Sequence, residues 1–494
     1  MHHSPHPTAS PLTALVAVLL VAAAARGGAS ASPPLNRAGL VAQLRRLVQA
    51  PALQRSRTGV AVRDLEDETW VFDHNADQLY SVASNNKLAT AAAALELLGP
   101  DFAFRTTVCA LGTIREDGTL TGDLLVVGRG DPSISGRFHD GRPAAVLEQW
   151  AAAVADAGIK AVNGGVVVDD SYFDQQHTHP LWPKGQHAAW FHAPSGALSF
   201  NDNCILLTVT PGPKQGAPTV ASVEPPTAYV RLLNRCVTSR ARRGGNRVLA
   251  HRPLGTNDIR ISGQIRHQAA PFKTYVTIHD PALYTGTVFR EVLAGRGIRV
   301  TGGVRRRTGS LPEAPREIIT TSSLVRDAVT VACKSSQNFY AEQLLKTLGR
   351  ERRGKGTFPA GATVVADFLR QAGLRGPFAY HDGSGLARAN RFSPRQLAAL
   401  LAYMNGRRHG GLYLRSLGEP GKPGTLARRL RTLQGRLFAK TGYISRASSL
   451  SGYIESRAGR LLAFSILVND FRCSLGQVRA IQDAICLALA DYQP

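Results

Sequence analysis

Acidic residues are scarce in this chain of 494 residues: 35 Asp and Glu stand against 59 Lys and Arg, for a formal charge of +24. Lysine is scarcer still, at ten, so the basicity rests on arginine. Such a surplus suits an anionic partner, whether wall polymer, lipid or nucleic acid, and otherwise solvates the surface. Cysteine is limited to Cys109, Cys204, Cys236, Cys333, Cys473 and Cys486. None forms a Cys-x-x-Cys pair, which argues against a structural zinc site and leaves any disulfide pairing open. A Gly-x-Ser-x-Gly elbow is missing, and Gly128-Arg-Gly-Asp-Pro-Ser lacks the third glycine of a dinucleotide loop. The arginine runs at Arg240 and Arg305 have no interleaved aromatics on which bases would stack, so no nucleic-acid partner is expected. His177, His179, His187 and His192 cluster without a His-x-x-x-His helix, so neither metal nor other cofactor is expected.

What is present is a globular composition, 44% hydrophobic and 19% charged, over a length of about three average domains. Pro11 to Ala25 is an almost unbroken apolar run followed by Ala29-Ser-Ala, which predicts an export signal cleaved near Ala31. No Lys or Arg precedes Arg26, so the amino terminus and three histidines must supply the positive end. No second stretch is long enough to cross a membrane.

Periodicity predicts a short helix over residues 40–53, two antiparallel strands near Thr58 and Thr69, and an Ala-rich helix over 84–98. From Cys109 to about Gly303 short strands alternate with Gly turns, a β-rich stretch broken by Pro-bearing segments. Helical patterns return at 324–333, 339–348, 360–372 and 394–404. The strand-like runs from Leu437 and Leu461 read as neighbours, and 475–489 as a closing helix on the sheet begun near Thr58.

A serine becomes nucleophilic when a base can take its proton, and a lysine three residues later on a helix shares its face. Ser84-Asn-Asn-Lys87 has that spacing, and no other lysine in the chain has serine at that offset. Such a lysine must be neutral, which burial or a nearby cation achieves. Lys440-Thr-Gly442 supplies a candidate cation in a strand-like run, with Gly442 allowing a substrate chain to approach the backbone. Of three Ser-x-Asn candidates, at Ser84, Ser199 and Ser336, the last lies between helical stretches and is preferred to Ser199, which runs into a strand.

Together these elements match the Ser-x-x-Lys, Ser-x-Asn, Lys-Thr-Gly set of penicillin-binding proteins and β-lactamases. The chain resembles the class C low-molecular-mass penicillin-binding proteins, the D-alanyl-D-alanine carboxypeptidase/endopeptidase family, from about Thr58 to Val468. Further motifs that carry the resemblance include Val168-Asp-Asp-Ser-Tyr-Phe, Ala197-Leu-Ser-Phe-Asn-Asp-Asn, Asp382-Gly-Ser-Gly-Leu-Ala-Arg388 and Gly424-Thr-Leu-Ala. The resemblance implies an α+β fold: a penicillin-binding-protein/β-lactamase-like transpeptidase domain, an antiparallel sheet with helices, carrying two nested β-rich inserted domains. The expected division is a signal peptide at 1–31, a peptidase domain at 32–108 and 309–494, a first insert at 109–132 and 223–308, and a second at 133–222.

By the same resemblance Ser84 would be acylated, Lys87 would be its base, and Ser336 would relay a proton to the leaving D-alanine. Asn338, Lys440, Thr441, Gly442, Tyr443 and Arg388 would bind substrate, and an acid among Asp169 to Asp174 would meet a side-chain amine. The implied partners are peptidoglycan peptides ending in D-Ala-D-Ala or cross-linked, β-lactams as inhibitors, and anionic wall polymers. Gln337 replaces the usual Asp, a change expected to matter little. Tyr443 stands where Thr is usual, which predicts weaker recognition of a free terminal carboxylate and a leaning toward endopeptidase action. A serine β-lactamase and a non-hydrolytic wall-binding or drug-sensing protein are the alternative readings.

Overall fold

The computed structural model describes residues 35–240, 246–310 and 314–494; the expected export segment and most of the arginine run at 240–243 lie outside the described residues. A five-stranded antiparallel sheet runs in the order Leu437–Ile444, Ala447–Glu455, Leu461–Asn469, Arg57–Asp64, Trp70–His74. Side chains alternate along a strand. Thus Leu462, Phe464, Ile466 and Val468 pack with Leu40 and Leu44 of helix Arg37–Val48 and with Ile485 and Leu489 of helix Leu475–Ala490. Ala463 and Leu467 face the other way, into a helical cluster that includes Leu88, Leu344 and Leu400. The sheet is therefore the middle of three layers, buried on both faces.

The runs from Leu437 and Leu461 are not neighbours, because Ala447–Glu455 lies between them. That strand escapes the hydrophobic pattern because Ser448, Ser449 and Ser451 are buried in it. Its serines serve the site described below.

Strands Ala103–Ile114 and Arg316–Leu324 pair antiparallel where the chain leaves and re-enters the helical layer. Between them a seven-stranded mixed sheet forms, in which Val166–Asp169 pairs parallel with both Thr119–Gly128 and Val304–Arg306. Parallel neighbours need crossover connections, and helices Ala145–Asp156 and Pro281–Gly295 lie on them, with Trp150 and Phe289 meeting edge to face at 5.6 Å. Farther along, Cys204–Thr210 pairs with Val220–Glu224 and Phe272–Thr277, beside a four-stranded sheet made by residues 231–266.

This pairing corrects the expected division of the insertion. Val166–Asp169, assigned to the second insert, is hydrogen-bonded into the sheet of the first, and strand Cys204–Thr210 binds Phe272–Thr277 across the expected boundary at 222. The nested unit is thus built from residues 204–277, and the outer sheet extends back to Ala103 and forward to Leu324. The six cysteines are unpaired thiols, five of them buried.

Insertion and peptidase layers are joined by a buried charge. Lys346, fully buried in helix Asn338–Arg353, lies 2.7 Å from Asp174 Oδ1 and donates to Gln176 O at 2.9 Å. Removing one partner of such a pair leaves an uncompensated ion. Asp174→Ala should therefore destabilise the protein by about 3 kcal/mol, seen as a lower urea midpoint, and adding Lys346→Met should recover most of the loss.

Candidate active site

Ser84, the expected nucleophile, sits on a short 3-10 segment, Ala83–Asn85, leading into helix Asn86–Leu97. Ala83 takes a left-handed φ of 47° there. Ser84 is half-buried and does not cap the helix; its Oγ lies 2.9 Å from Lys87 Nζ, as the three-residue spacing predicts. Lys87 Nζ also donates to Asn338 Oδ1 at 2.7 Å and to Ser384 O at 2.8 Å. Asn338 Nδ2 donates to Phe191 O at 2.8 Å, which fixes the amide with its oxygen toward the lysine. Two acceptors hold two N–H bonds of Lys87, and the remaining direction of the nitrogen faces Ser84: a lone pair there, in the neutral amine, is placed to take the hydroxyl proton.

Burial drives the Lys87 ammonium down to about 8, against Glu342 and Asp382, which favour its charged form. Glu342 is itself pushed up to about 8, first by burial and then by Asp382. The two carboxylates sit behind the lysine as braces. Glu342 accepts from Gly383 N and Ser384 N at 2.8 Å each, while Asp382 accepts from Gly385 N, Ala387 N, Asn390 Nδ2 and Trp182 Nε1. The turn they brace fits because its glycines have no side chain: a Cβ on Gly385 would lie 1.9 Å from Ala83 O and one on Gly383 2.3 Å from Ala341 O. This role of Asp382-Gly-Ser-Gly was not legible from the motif.

Ser336, at a left-handed φ of 57°, lies between helices Val325–Lys334 and Asn338–Arg353. Its Oγ receives Lys440 Nζ at 2.9 Å, and the same ammonium donates to Thr441 O at 2.8 Å. Lys440 is lowered to about 7, first by burial and then by repulsion from Lys87, so the two lysines disfavour each other's charge as the sequence suggested. The alternative Ser199 is spent internally, donating to Gly196 O and accepting from Asn203.

The edge strand Leu437–Ile444 is tied to the nucleophile by Asn85, whose amide donates to Lys440 O at 2.6 Å and accepts from Ser451. Gly442 serves that contact: a Cβ would meet Ser449 Oγ at 2.2 Å and Ser84 N and Val82 O at 3.0 Å. The close approach it permits includes the protein's own turn at Ser84, beside the groove that Gly442 also lines. Ala439 exchanges both backbone hydrogen bonds with Gly418 on the strand's outer edge. By the two-residue repeat, Thr441 and Tyr443 present their backbone groups on that same open edge.

A groove of about 820 Å³ joins Ser84, Ser336, Asn338, Thr441, Gly442, Tyr443 and Arg388. Arg388 donates to Ser445 O and lies 3.8 Å from Asp470. The acids at 169–174 do not reach the groove. Asp169 pairs with Arg307, Asp170 with Arg306 and Asp174 with Lys346.

The sequence model of the D-Ala-D-Ala carboxypeptidase 3 (S13) family matches residues 40–492. The chain belongs to that family. It is 34% identical over 465 residues, 90% of this chain and 83% of the relative, to the D-alanyl-D-alanine carboxypeptidase of Actinomadura sp. (strain R39). It is 23% identical over 427 residues, 84% of this chain and 86% of the relative, to the D-alanyl-D-alanine carboxypeptidase DacB of Haemophilus influenzae. The crystal structure of penicillin binding protein 4 (dacB) from Haemophilus influenzae shares the fold with a TM-score of 0.79 at 22% identity, over 91% of this chain and 99% of that one. The protein is thus a serine-type D-Ala-D-Ala carboxypeptidase.

In this S13 peptidase the insertion also shapes the site. Gln337 Nε2 donates to Asp202 Oδ2 at 2.8 Å, and Arg137 grips the same carboxylate at 2.7 Å. Gln337 thus ties the Ser336 turn to the insertion, a contact the sequence did not signal. Asp202 is more than a hundred residues from each catalytic candidate in the sequence, and although it lies in the motif that begins at Ala197, nothing there marks it as the partner of Gln337.

Only the free amine of Lys87 accepts a proton, so acylation should climb as pH rises through about 8 and level off above it. Glu342 ionises over the same range, near 8, and once charged favours the ammonium, so Glu342→Gln should move the upper part of the rising limb to lower pH; an unmoved limb would place the base elsewhere. Gly442→Ala should slow acylation at least about tenfold by displacing the nucleophile turn, measured by stopped-flow with a chromogenic β-lactam.

Proposed function

We propose that the protein is an exported enzyme that removes the terminal D-alanine from peptidoglycan stem peptides through an acyl-enzyme on Ser84, and that β-lactams block it by acylating the same hydroxyl. The observation that carries this reading is the buried Lys87 nitrogen, held by Asn338 and Ser384 and facing Ser84 at 2.9 Å. Lys87 takes the hydroxyl proton as Ser84 Oγ attacks the penultimate D-alanine carbonyl. Backbone N–H groups of Ser84 and of the strand's open edge near Tyr443 stand where the oxyanion develops. Ser336, in contact with Lys440 at 2.9 Å, passes a proton to the departing amine. Water then cleaves the ester, giving the shortened peptide's carboxylate and free Ser84.

Export is supported by the apolar run and Ala29-Ser-Ala at the start of the chain. Among the described residues no helix is long and apolar enough to cross a membrane. Inhibition is supported by the related penicillin binding protein 4 from Haemophilus influenzae, solved complexed with a β-lactam. The arginine surplus fits contact with anionic wall polymers. Rapid β-lactam hydrolysis needs a second base for water, and no Asp or Glu lines the groove, so the adduct is expected to persist.

Intact mass after incubation with benzylpenicillin should show one adduct, mapped to Ser84, and the untreated enzyme should release D-alanine from a pentapeptide. Ser84→Ala should abolish the adduct, and Lys87→Ala should slow its formation by at least about 10²-fold. An adduct that survives in Ser84→Ala would remove the assignment.

A further inference from the structure

The groove continues past Thr441 to a pair of arginines outside every motif considered above. Ser448 lies opposite Tyr443 in the strand pairing and accepts from Gln482 of helix Leu475–Ala490, so Tyr443, and Thr441 two residues before it, face that helix. Arg479, one turn earlier on the helix, and Arg429 line the groove there.

Their hydrogen-bonding capacity is unequal. Arg429 spends Nε and Nη2 on Asp483, at 3.2 and 2.7 Å, and its Nη1 has no partner among the described residues. The Arg479 guanidinium is exposed and makes no side-chain hydrogen bond or ion pair among the described residues. Asp483 offsets one of the two positive charges, leaving this end of the groove net cationic, and no acid lines it. Burial and Arg429 both weigh against the Arg479 cation, so an incoming anion relieves a repulsion already present. Tyr443, half-exposed, lies near Arg479, and a phenol hydroxyl sits farther from the backbone than a threonine's would.

We propose that Arg479, backed by Arg429, binds the α-carboxylate of the residue that leaves, taking the place of the hydroxyl that a threonine at 443 would offer. The inference rests on the D-alanyl peptidase reading of the groove. A planar guanidinium meets a carboxylate through two parallel N–H bonds, a stronger contact than one hydroxyl gives. The selected substrates are therefore those whose departing amine carries an adjacent carboxylate, a free terminal D-alanine included. Tyr443 does not turn the enzyme away from carboxypeptidase action.

The test compares a pentapeptide ending in D-Ala-D-Ala as the free acid with the same peptide as its C-terminal amide, scoring the ratio of kcat/KM. Arg479→Gln should lower the acid-to-amide ratio by roughly ten- to a hundredfold, mostly through KM on the acid. Arg479→Glu should lower it further, Arg479→Lys should restore part of it, and Tyr443→Thr should change it by less than about threefold. A ratio unmoved by Arg479→Gln in an otherwise active enzyme overturns the arginine assignment alone. A tenfold rise in Tyr443→Thr overturns it as well, by showing the carboxylate unmet. A wild-type protein that releases no D-alanine from the acid overturns the peptidase reading and this inference with it.

Discussion

A lysine nitrogen has been taken wholly out of water and then held at 2.9 Å from a serine hydroxyl, and much of the architecture follows from that constraint. A buried ammonium is costly unless it is paired or loses its proton. Here the surroundings stop short of neutralising it outright. Asn338 and Ser384 give it two acceptors, and Glu342 and Asp382 lie close enough to favour its charge without contacting it directly. The result is a base poised near neutrality. These neighbours come from helix Asn338–Arg353 and from the turn at Asp382 to Gly385, both far from Lys87 in the chain, so these parts of the peptidase layers must be assembled before Lys87 is correctly surrounded.

The insertion belongs to that assembly. Phe191 O fixes the Asn338 amide, Asp202 holds Gln337, and Trp182 Nε1 donates to Asp382 at 2.8 Å. Three loop residues of the insertion thus touch the Ser-x-Asn turn or the brace behind Lys87. The left-handed φ of Ser336 is a conformation that a non-glycine residue keeps only when its surroundings over-determine it. The Asp202–Gln337 contact on one side and Lys440 on the other supply that determination.

What the sequence made legible was local. Ser84 and Lys87 are three residues apart, Ser336 and Asn338 two, and Lys440 to Gly442 consecutive, so each cluster's chemistry could be stated before any fold was known. Asp202, Phe191 and Trp182 were not legible as site residues, because their partners lie 135 to 200 residues away and only tertiary packing joins them. The helices Ala145–Asp156 and Pro281–Gly295 were missed for another reason. They lie within a stretch punctuated by glycine turns and short β-runs, where the dominant signal was strand. Strand Ala447–Glu455 was missed because its buried inward positions are serines, which hydrogen-bond to Val82 O and Asn85 where a hydrophobic pattern would show Val or Ile.

Charge is segregated across the nucleophile, and this orders the chemistry. Behind Ser84 stand the carboxyl groups of Glu342 and Asp382, engaged by backbone amides and, at Asp382, also by Asn390 and Trp182; in front, the groove offers arginines and the edge of a strand, with no acid among its lining residues. On the binding mode proposed above, an anionic peptide end would be drawn along that gradient and stopped by the arginines, while its backbone would add to the strand edge. The same layout withholds a carboxylate base from water at the acyl-enzyme. On the proposed acyl-enzyme, deacylation would depend on Lys87 recovering its free amine once D-alanine has left, so a β-lactam whose leaving group remains tethered would keep that space filled and its ester would outlast the peptide's.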